Sequence, residues 1–183
     1  IRYSMVRTFV AIDLPEAIRE RARASQAALA RAEGRLAIVD PANLHVTVKF
    51  LGEVDPAQIG PIGEALGAVT ADPFDLTVGR AVCNPPRRAR VIWCDVIDAG
   101  ESAAIARQVD DLLSPLGFSR ENRPFRPHVT LARVKEFHPS QCREVASLPP
   151  EPLGRCRVAS IKLKKSTLTH RGSIYEDLLE VPL

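Results

Sequence analysis

The sequence predicts an α+β fold built from two similar halves, each with antiparallel strands covered by helices on one side. Three observations carry that expectation. The phrase His45-Val46-Thr47-Val48 returns as His128-Val129-Thr130-Leu131, 83 positions further along a chain of 183 residues. Around each copy, polar and apolar residues alternate, as they do on a strand with one wet face and one buried face. The β-rich and helix-rich runs also follow one another in an order that is broadly repeated around the second copy.

Arg7 to Leu14 is rich in β-formers and stops at Pro15, which reads as a strand. Pro15 then stands where the start of a helix tolerates it. Glu16 to Glu33, with Ile18, Ala22 and Leu29 on one side, predicts an amphipathic helix closed by Gly34. A strand carrying the first phrase follows, from about Leu44 to Val54. Asp55-Pro56 supplies an N-cap and a first-turn proline for a helix reaching about Val69, although Gly60 and Pro61 weaken its early part.

Phe74 to Val82 and Val91 to Ile97 predict a hairpin whose loop, Asn84-Pro85-Pro86-Arg87-Arg88, is basic. Glu101 to Leu116 has Ile105, Val109, Leu112 and Leu113 at helical spacing and ends at Gly117. The second phrase lies in a strand from Pro127 to Lys135, and a short helix follows Pro139-Ser140. Arg157 to Thr169 and Ile174 to Val181 read as two closing strands around His170-Arg171-Gly172.

A length of 183 residues suits a single domain of two intertwined lobes. Residues 1–4 precede the only methionine, Met5, and are set aside as upstream sequence. Cys83, Cys94, Cys142 and Cys156 show no C-x-x-C spacing, which argues against a zinc site or a disulfide framework and for a reducing compartment. With no run of about 18 apolar residues and no signal-peptide core, the expected location is the cytoplasm and no membrane partner is expected. The chain is expected to act as a monomer.

The formal net charge of +3 is too small for a nucleic-acid coat protein. Its distribution is uneven. Arg87, Arg88 and Arg90 form one cluster, Arg120, Arg123, Arg126 and Arg133 surround the second phrase, and Lys162, Lys164, Lys165 and Arg171 mark the C-terminal segment. Clusters beside suspected chemistry favour an anionic ligand.

Only four histidines and seven threonines are present, so two His-x-Thr pairs are hard to reach by chance. On a strand His45 and Thr47 point one way, while strict alternation sends Val46, Val48 and Phe50 to the core. The same holds for His128 and Thr130 against Val129 and Leu131. Two imidazoles converging on one phosphodiester provide a base for the attacking hydroxyl and an acid for the departing oxygen, since their ordinary pKa lies near 6.5. The threonine hydroxyls can stabilise non-bridging oxygens, and the scheme uses no cofactor and no metal. His138 and His170 lack the motif and read as surface residues. Phe9, Trp93 and Tyr175 read either as core or as stacking platforms for a base.

At these residues the chain resembles the 2H phosphoesterase superfamily, named for two H-x-T-x motifs, and within it the RNA 2′,3′-cyclic phosphodiesterases, also called 2′-5′ RNA ligase-like proteins. The likeness extends to Arg7-Thr8-Phe9-Val10-Ala11-Ile12, to Asn43 through Gly52, to Pro124 through Arg133, and to Leu163, Ser166, Leu168, Gly172 and Tyr175. One departure is visible: many relatives carry Gly-x-Phe-Pro where this chain has Gly79 followed by Arg80 through Pro85. The resemblance implies a bilobal, pseudo-twofold fold with a central cleft. It also implies hydrolysis of RNA 2′,3′-cyclic phosphate ends, or of small cyclic nucleotides, to 2′-phosphomonoesters. By that pattern His45 is the proton donor to the leaving 3′ oxygen, His128 is the base, and Arg133 lies near the phosphate. The residues themselves leave the two histidine roles interchangeable, and strict alternation points Arg133 away from His128. Reversible 2′-5′ ligation and a non-catalytic RNA-binding module are the competing readings. A metal site on the histidines lacks a completing carboxylate or cysteine at a persuasive spacing.

Overall fold

The computed structural model describes residues 4–183, so residues 1–3 of the segment set aside above lie outside the described residues. Nine strands and four α-helices follow in the order β1 (Val6–Asp13), α1 (Glu16–Leu29), β2 (Arg35–Ile38), β3 (His45–Val54), α2 (Ile59–Leu66), β4 (Phe74–Asn84), β5 (Val91–Ile97) and α3 (Glu101–Leu113). They continue with β6 (His128–Glu136), α4 (Pro139–Ala146), β7 (Gly154–Val158), β8 (Ser160–Thr169) and β9 (Gly172–Pro182). Two sheets result. The first has the order β3-β1-β8-β9 and the second β2-β6-β5-β4-β7, with every neighbouring pair antiparallel.

The helices cross over between sheets. α1 leaves the first sheet but packs against β6 and β7 of the second and against α4, whereas α3 leaves the second sheet and packs on β3 and α2. Each half therefore completes the other. Val10, Ile12, Val46, Ile161 and Leu163 of the first sheet, Ile92, Val129 and Leu131 of the second, and Ile18, Ile62, Ile105 and Val109 of the helices belong to one continuous apolar core.

Three local expectations are corrected, and one short strand, β2, is added. The helix expected from Asp55 begins as a 3-10 turn, Pro56–Gln58, capped by the Asp55 carboxylate, and becomes α-helical only at Ile59. α1 stops at Leu29 rather than Glu33, and the chain turns through Gly34 at φ +81°. A Cβ on Gly34 would sit 2.5 Å from the Glu136 carbonyl, so the glycine lets β2 pair with β6. β2 itself has only four residues and shows no alternation of burial. The single strand expected over Arg157–Thr169 is two, because the chain leaves β4 and joins β1 on either side of Ala159. Among the described residues, no helix is long and apolar enough to cross a membrane.

Candidate active site

β3 and β6 lie alongside each other, with Cα atoms within 8 Å. They bring the two phrases together. The ring of His45 donates from Nδ1 to the Asn43 carbonyl at 2.6 Å, and that of His128 from Nδ1 to the Arg126 carbonyl at 2.8 Å. Both bonds go to the residue two positions earlier, so both rings keep Nε2 for chemistry. Asn43 is itself anchored, its side-chain amide donating to the Ser173 carbonyl at 2.7 Å. His45 Nε2 accepts from the Thr47 hydroxyl at 2.9 Å.

The cross-strand neighbours repeat the same pattern. Asp13 lies opposite His45 and Asp95 opposite His128. An aromatic wall backs each imidazole: Phe9 at 4.9 Å and Tyr175 at 5.4 Å from His45, and Trp93 stacked on His128 at 4.1 Å with the Arg126 guanidinium above the indole. These aromatics therefore hold the two imidazoles rather than serving only as core. The register that places Trp93 opposite Thr130 could have signalled this, but sequence alone does not supply that register.

Immediately after each threonine the strand bulges. In β3 the pairing jumps from Ala11–Thr47 to Val10–Lys49, leaving Val48 over; in β6 it jumps from Trp93–Thr130 to Ile92–Ala132, leaving Leu131 over. Each bulge advances the alternation by one residue. Two expectations fall with it. Phe50, assigned to the core, is 49% exposed, and Lys49 is buried in its place at 4% exposure. Arg133, which strict alternation points away from His128, shares a face with His128 and Thr130, since the regular strand β5 presents Val91, Trp93 and Asp95 opposite those three.

Burial is affordable for Lys49 because it is fully engaged. Its ammonium pairs with Asp110 of α3 and donates to the Ser119 carbonyl at 2.8 Å, while Asp110 accepts from the Glu121 backbone N–H at 3.0 Å. The residue next to the first motif thus ties down the loop leading to the second. The β6 bulge is held from α1: Gln26, also buried, donates to the carbonyls of Val39 at 2.7 Å and Leu131 at 3.1 Å. His138, read as a surface residue, instead caps α4 by accepting from the Ser140 N–H at 3.1 Å.

Beside His45 lies a square of charge. Lys162 and Lys164 each bridge Asp13 and Asp177, with four N–O distances of 2.8 Å. Burial would raise the Asp13 carboxyl, but the hydrogen bonds and charges of the two lysines carry it below the ordinary carboxylate range. For His45, burial lowers the imidazole pKa, and the Lys164 and His128 charges add to this. The bond to Asn43 and the Asp13 charge oppose it without cancelling it. Among the described residues no cluster of three or more His, Cys, Asp or Glu side chains could hold a metal ion.

The chain matches the LigT like Phosphoesterase family over residues 12–93 and 98–175, and each segment holds one copy of the motif. It is 37% identical over 174 residues to an RNA 2′,3′-cyclic phosphodiesterase of Archaeoglobus fulgidus, covering 94% of this chain and 98% of the relative. It is also 37% identical over 147 residues to one of Aeropyrum pernix, covering 78% and 84%. Among solved structures, the Thermus thermophilus protein TT0787 superposes with a TM-score of 0.81 at 28% identity, covering 97% of both chains. The Escherichia coli LigT complexed with 3′-AMP superposes with a TM-score of 0.79 at 28% identity, covering 98% of both.

Proposed function

The chain belongs to the LigT like Phosphoesterase family, and we propose that it hydrolyses RNA 2′,3′-cyclic phosphate ends to 2′-phosphomonoesters by two-histidine acid–base catalysis. One observation carries the reading: on two neighbouring strands, an imidazole is clamped at Nδ1 by the carbonyl two residues earlier. His128 takes a proton from water as its oxygen bonds to phosphorus. The bond from phosphorus to the 3′ oxygen breaks, and His45 protonates the departing oxygen. Burial holds the His45 pKa below its ordinary value and so favours the neutral ring. The cyclic phosphate is an anion, and it supplies the counter-charge that brings His45 its proton.

Once His45 carries its proton, Nε2 no longer accepts from Thr47, and the Thr47 and Thr130 hydroxyls donate to the non-bridging oxygens, while Arg133, on the same face as His128, offers a guanidinium to the anion. The protein acts as a single domain of two interlocked lobes, as a monomer in the cytoplasm, where its four free cysteines stay reduced. The same groups serve 2′-5′ ligation when a 5′-hydroxyl replaces water: His128 takes its proton as its oxygen bonds to phosphorus, and His45 protonates the departing 3′ oxygen; acid and base exchange roles when that linkage is cleaved back.

The test is turnover of an oligoribonucleotide ending in a 2′,3′-cyclic phosphate, with and without chelator. His45→Ala and His128→Ala each lower kcat/KM by about 10²- to 10⁴-fold, the usual worth of one acid or base, and chelator has no effect. Activity surviving the double substitution refutes the mechanism.

A further inference from the structure

Many cations in this protein have a partner: Arg155 and Arg157 meet Asp75, Arg126 meets Asp95, and Lys162 and Lys164 share two aspartates. At one end of the second sheet, six do not. Arg35, Arg87, Arg88, Arg90, Arg133 and Lys135 are all exposed, and none has a carboxylate within 4.0 Å among the described residues. They come from three segments that the fold gathers together. Arg35 pairs in register with Glu136, Arg133 with Val91, and the Val134 N–H donates to the Arg90 carbonyl at 2.9 Å. Arg88 lies over the Phe137 ring at 5.4 Å. Two carboxylates stand near this end, Glu136 and Glu33, and Glu33 faces His138 at 3.4 Å.

Unpaired cations repel one another, so a cluster of six costs stability unless an anion visits it. The cluster is continuous with the catalytic face, because β6 carries His128, Thr130 and Arg133 on one side and ends at the patch. At a rise of ~3.3 Å per residue, its far end lies roughly 20 Å from His128, the length of several nucleotides.

We infer that this patch is a track for the body of a single-stranded RNA whose cyclic phosphate end lies between His45 and His128. This rests on the cyclic phosphodiesterase reading and extends it, since it makes the oligonucleotide, not the mononucleotide, the preferred substrate. A ribose-phosphate backbone suits the track because guanidinium groups bind phosphate oxygens bidentately, and because single strands are held chiefly by charge along their length. The bulge at Leu131 aligns the track with the chemistry, for without it Arg133 would face the core.

The experiment compares kcat/KM for a 2′,3′-cyclic mononucleotide and for an eight-residue oligoribonucleotide with the same end, between 50 and 200 mM salt. It uses the parent protein, an Arg87→Ser, Arg88→Ser, Arg90→Ser variant and an Arg35→Ser, Lys135→Ser variant. Thermal melts show that each variant is folded, and the second variant decides if the first is not. The triple variant loses at least tenfold on the oligomer and less than twofold on the mononucleotide. Its logarithmic salt slope on the oligomer drops from about −4 to about −2, at ~0.7 per phosphate contact. Equal losses on both substrates, or none on the oligomer, overturn the track.

If the parent turns over neither substrate, the phosphodiesterase reading fails. Anisotropy of the labelled oligomer then decides the track alone: salt-dependent binding lost in the variants supports it, and unchanged binding overturns it. Polyglutamate competing as well as RNA also overturns it, in favour of an acidic-protein surface.

Discussion

An imidazole with Nδ1–H tied to a carbonyl has a single nitrogen left for proton transfer, and both motif histidines are tied in this way. Repetition made these two residues and their threonines legible in the sequence. The facing of Arg133 and Phe50 was not legible, because one inserted residue leaves no mark beside an apolar pair such as Leu131-Ala132. His45 is the more sheltered of the pair, and its proton affinity is set by burial first, by the hydrogen bond to Asn43 second and by the surrounding charges after that. In NMR titration its resonance should therefore move below pH 6.5, and inorganic phosphate should shift that midpoint upward. A midpoint that phosphate leaves unmoved would remove the anion from the protonation step. Asp13→Asn lowers the midpoint further, since it deletes a favourable charge and frees Lys162 and Lys164 from half of their partners. The stability consequence has a definite sign. A histidine with a depressed pKa stabilises the fold above its unfolded value, ~6.5, and that contribution is lost as the pH falls through the imidazole range. The melting temperature of the parent should fall with pH in that window, and His45→Gln should reduce the slope.

At the scale of elements, the two bulges decide which later residues share a face with the histidines, and buried polar residues from elsewhere in the chain hold the bulged strands in place. Most strands and helices were legible from turn residues and spacing, as with Gly117 ending the α3 region and Asp55-Pro56 opening a turn. β2 and the break at Ala159 were not. Arg35 to Ile38 is too short to show a period, and no turn residue separates β7 from β8, so only pairing with β6, β4 and β1 decides those boundaries. Gln26 supplies a test of how a bulge is held. Gln26→Leu leaves the Val39 carbonyl without its amide donor and removes one of the two donors to the Leu131 carbonyl. Losing donors to buried carbonyls costs about 1–3 kcal/mol, read as a lower urea midpoint at unchanged m. Because the bulge aims Arg133, kcat/KM should fall as well. A stable variant with full activity would mean that β6 keeps its bulge without α1.

Across the whole molecule, each half borrows from the other. The N-terminal strand β1 lies between β3 and β8, so the sheet that holds His45 is completed only by the last two strands of the chain. Those strands bring Lys162, Lys164 and Asp177 to the charge square, Tyr175 to the His45 ring and the Ser173 carbonyl to Asn43. A chain ending at Val158 still contains both motifs, every α-helix and the entire second sheet. It nevertheless exposes the inner edge of β1 and loses the buried side chains of Ile161, Leu163 and Val181, each worth roughly 1.5–3 kcal/mol. Their sum is comparable with the whole stability of a typical domain, about 5–15 kcal/mol. The truncated chain should therefore show no cooperative urea transition and no turnover of the cyclic phosphate, with its amide exchange protection lost in the second sheet as well as the first. Loss confined to the first sheet, with a cooperative transition surviving in the second, would show that the halves fold independently. The crossing of α1 and α3 between sheets argues against that outcome, because the helices covering each sheet cannot be placed without strands from the other.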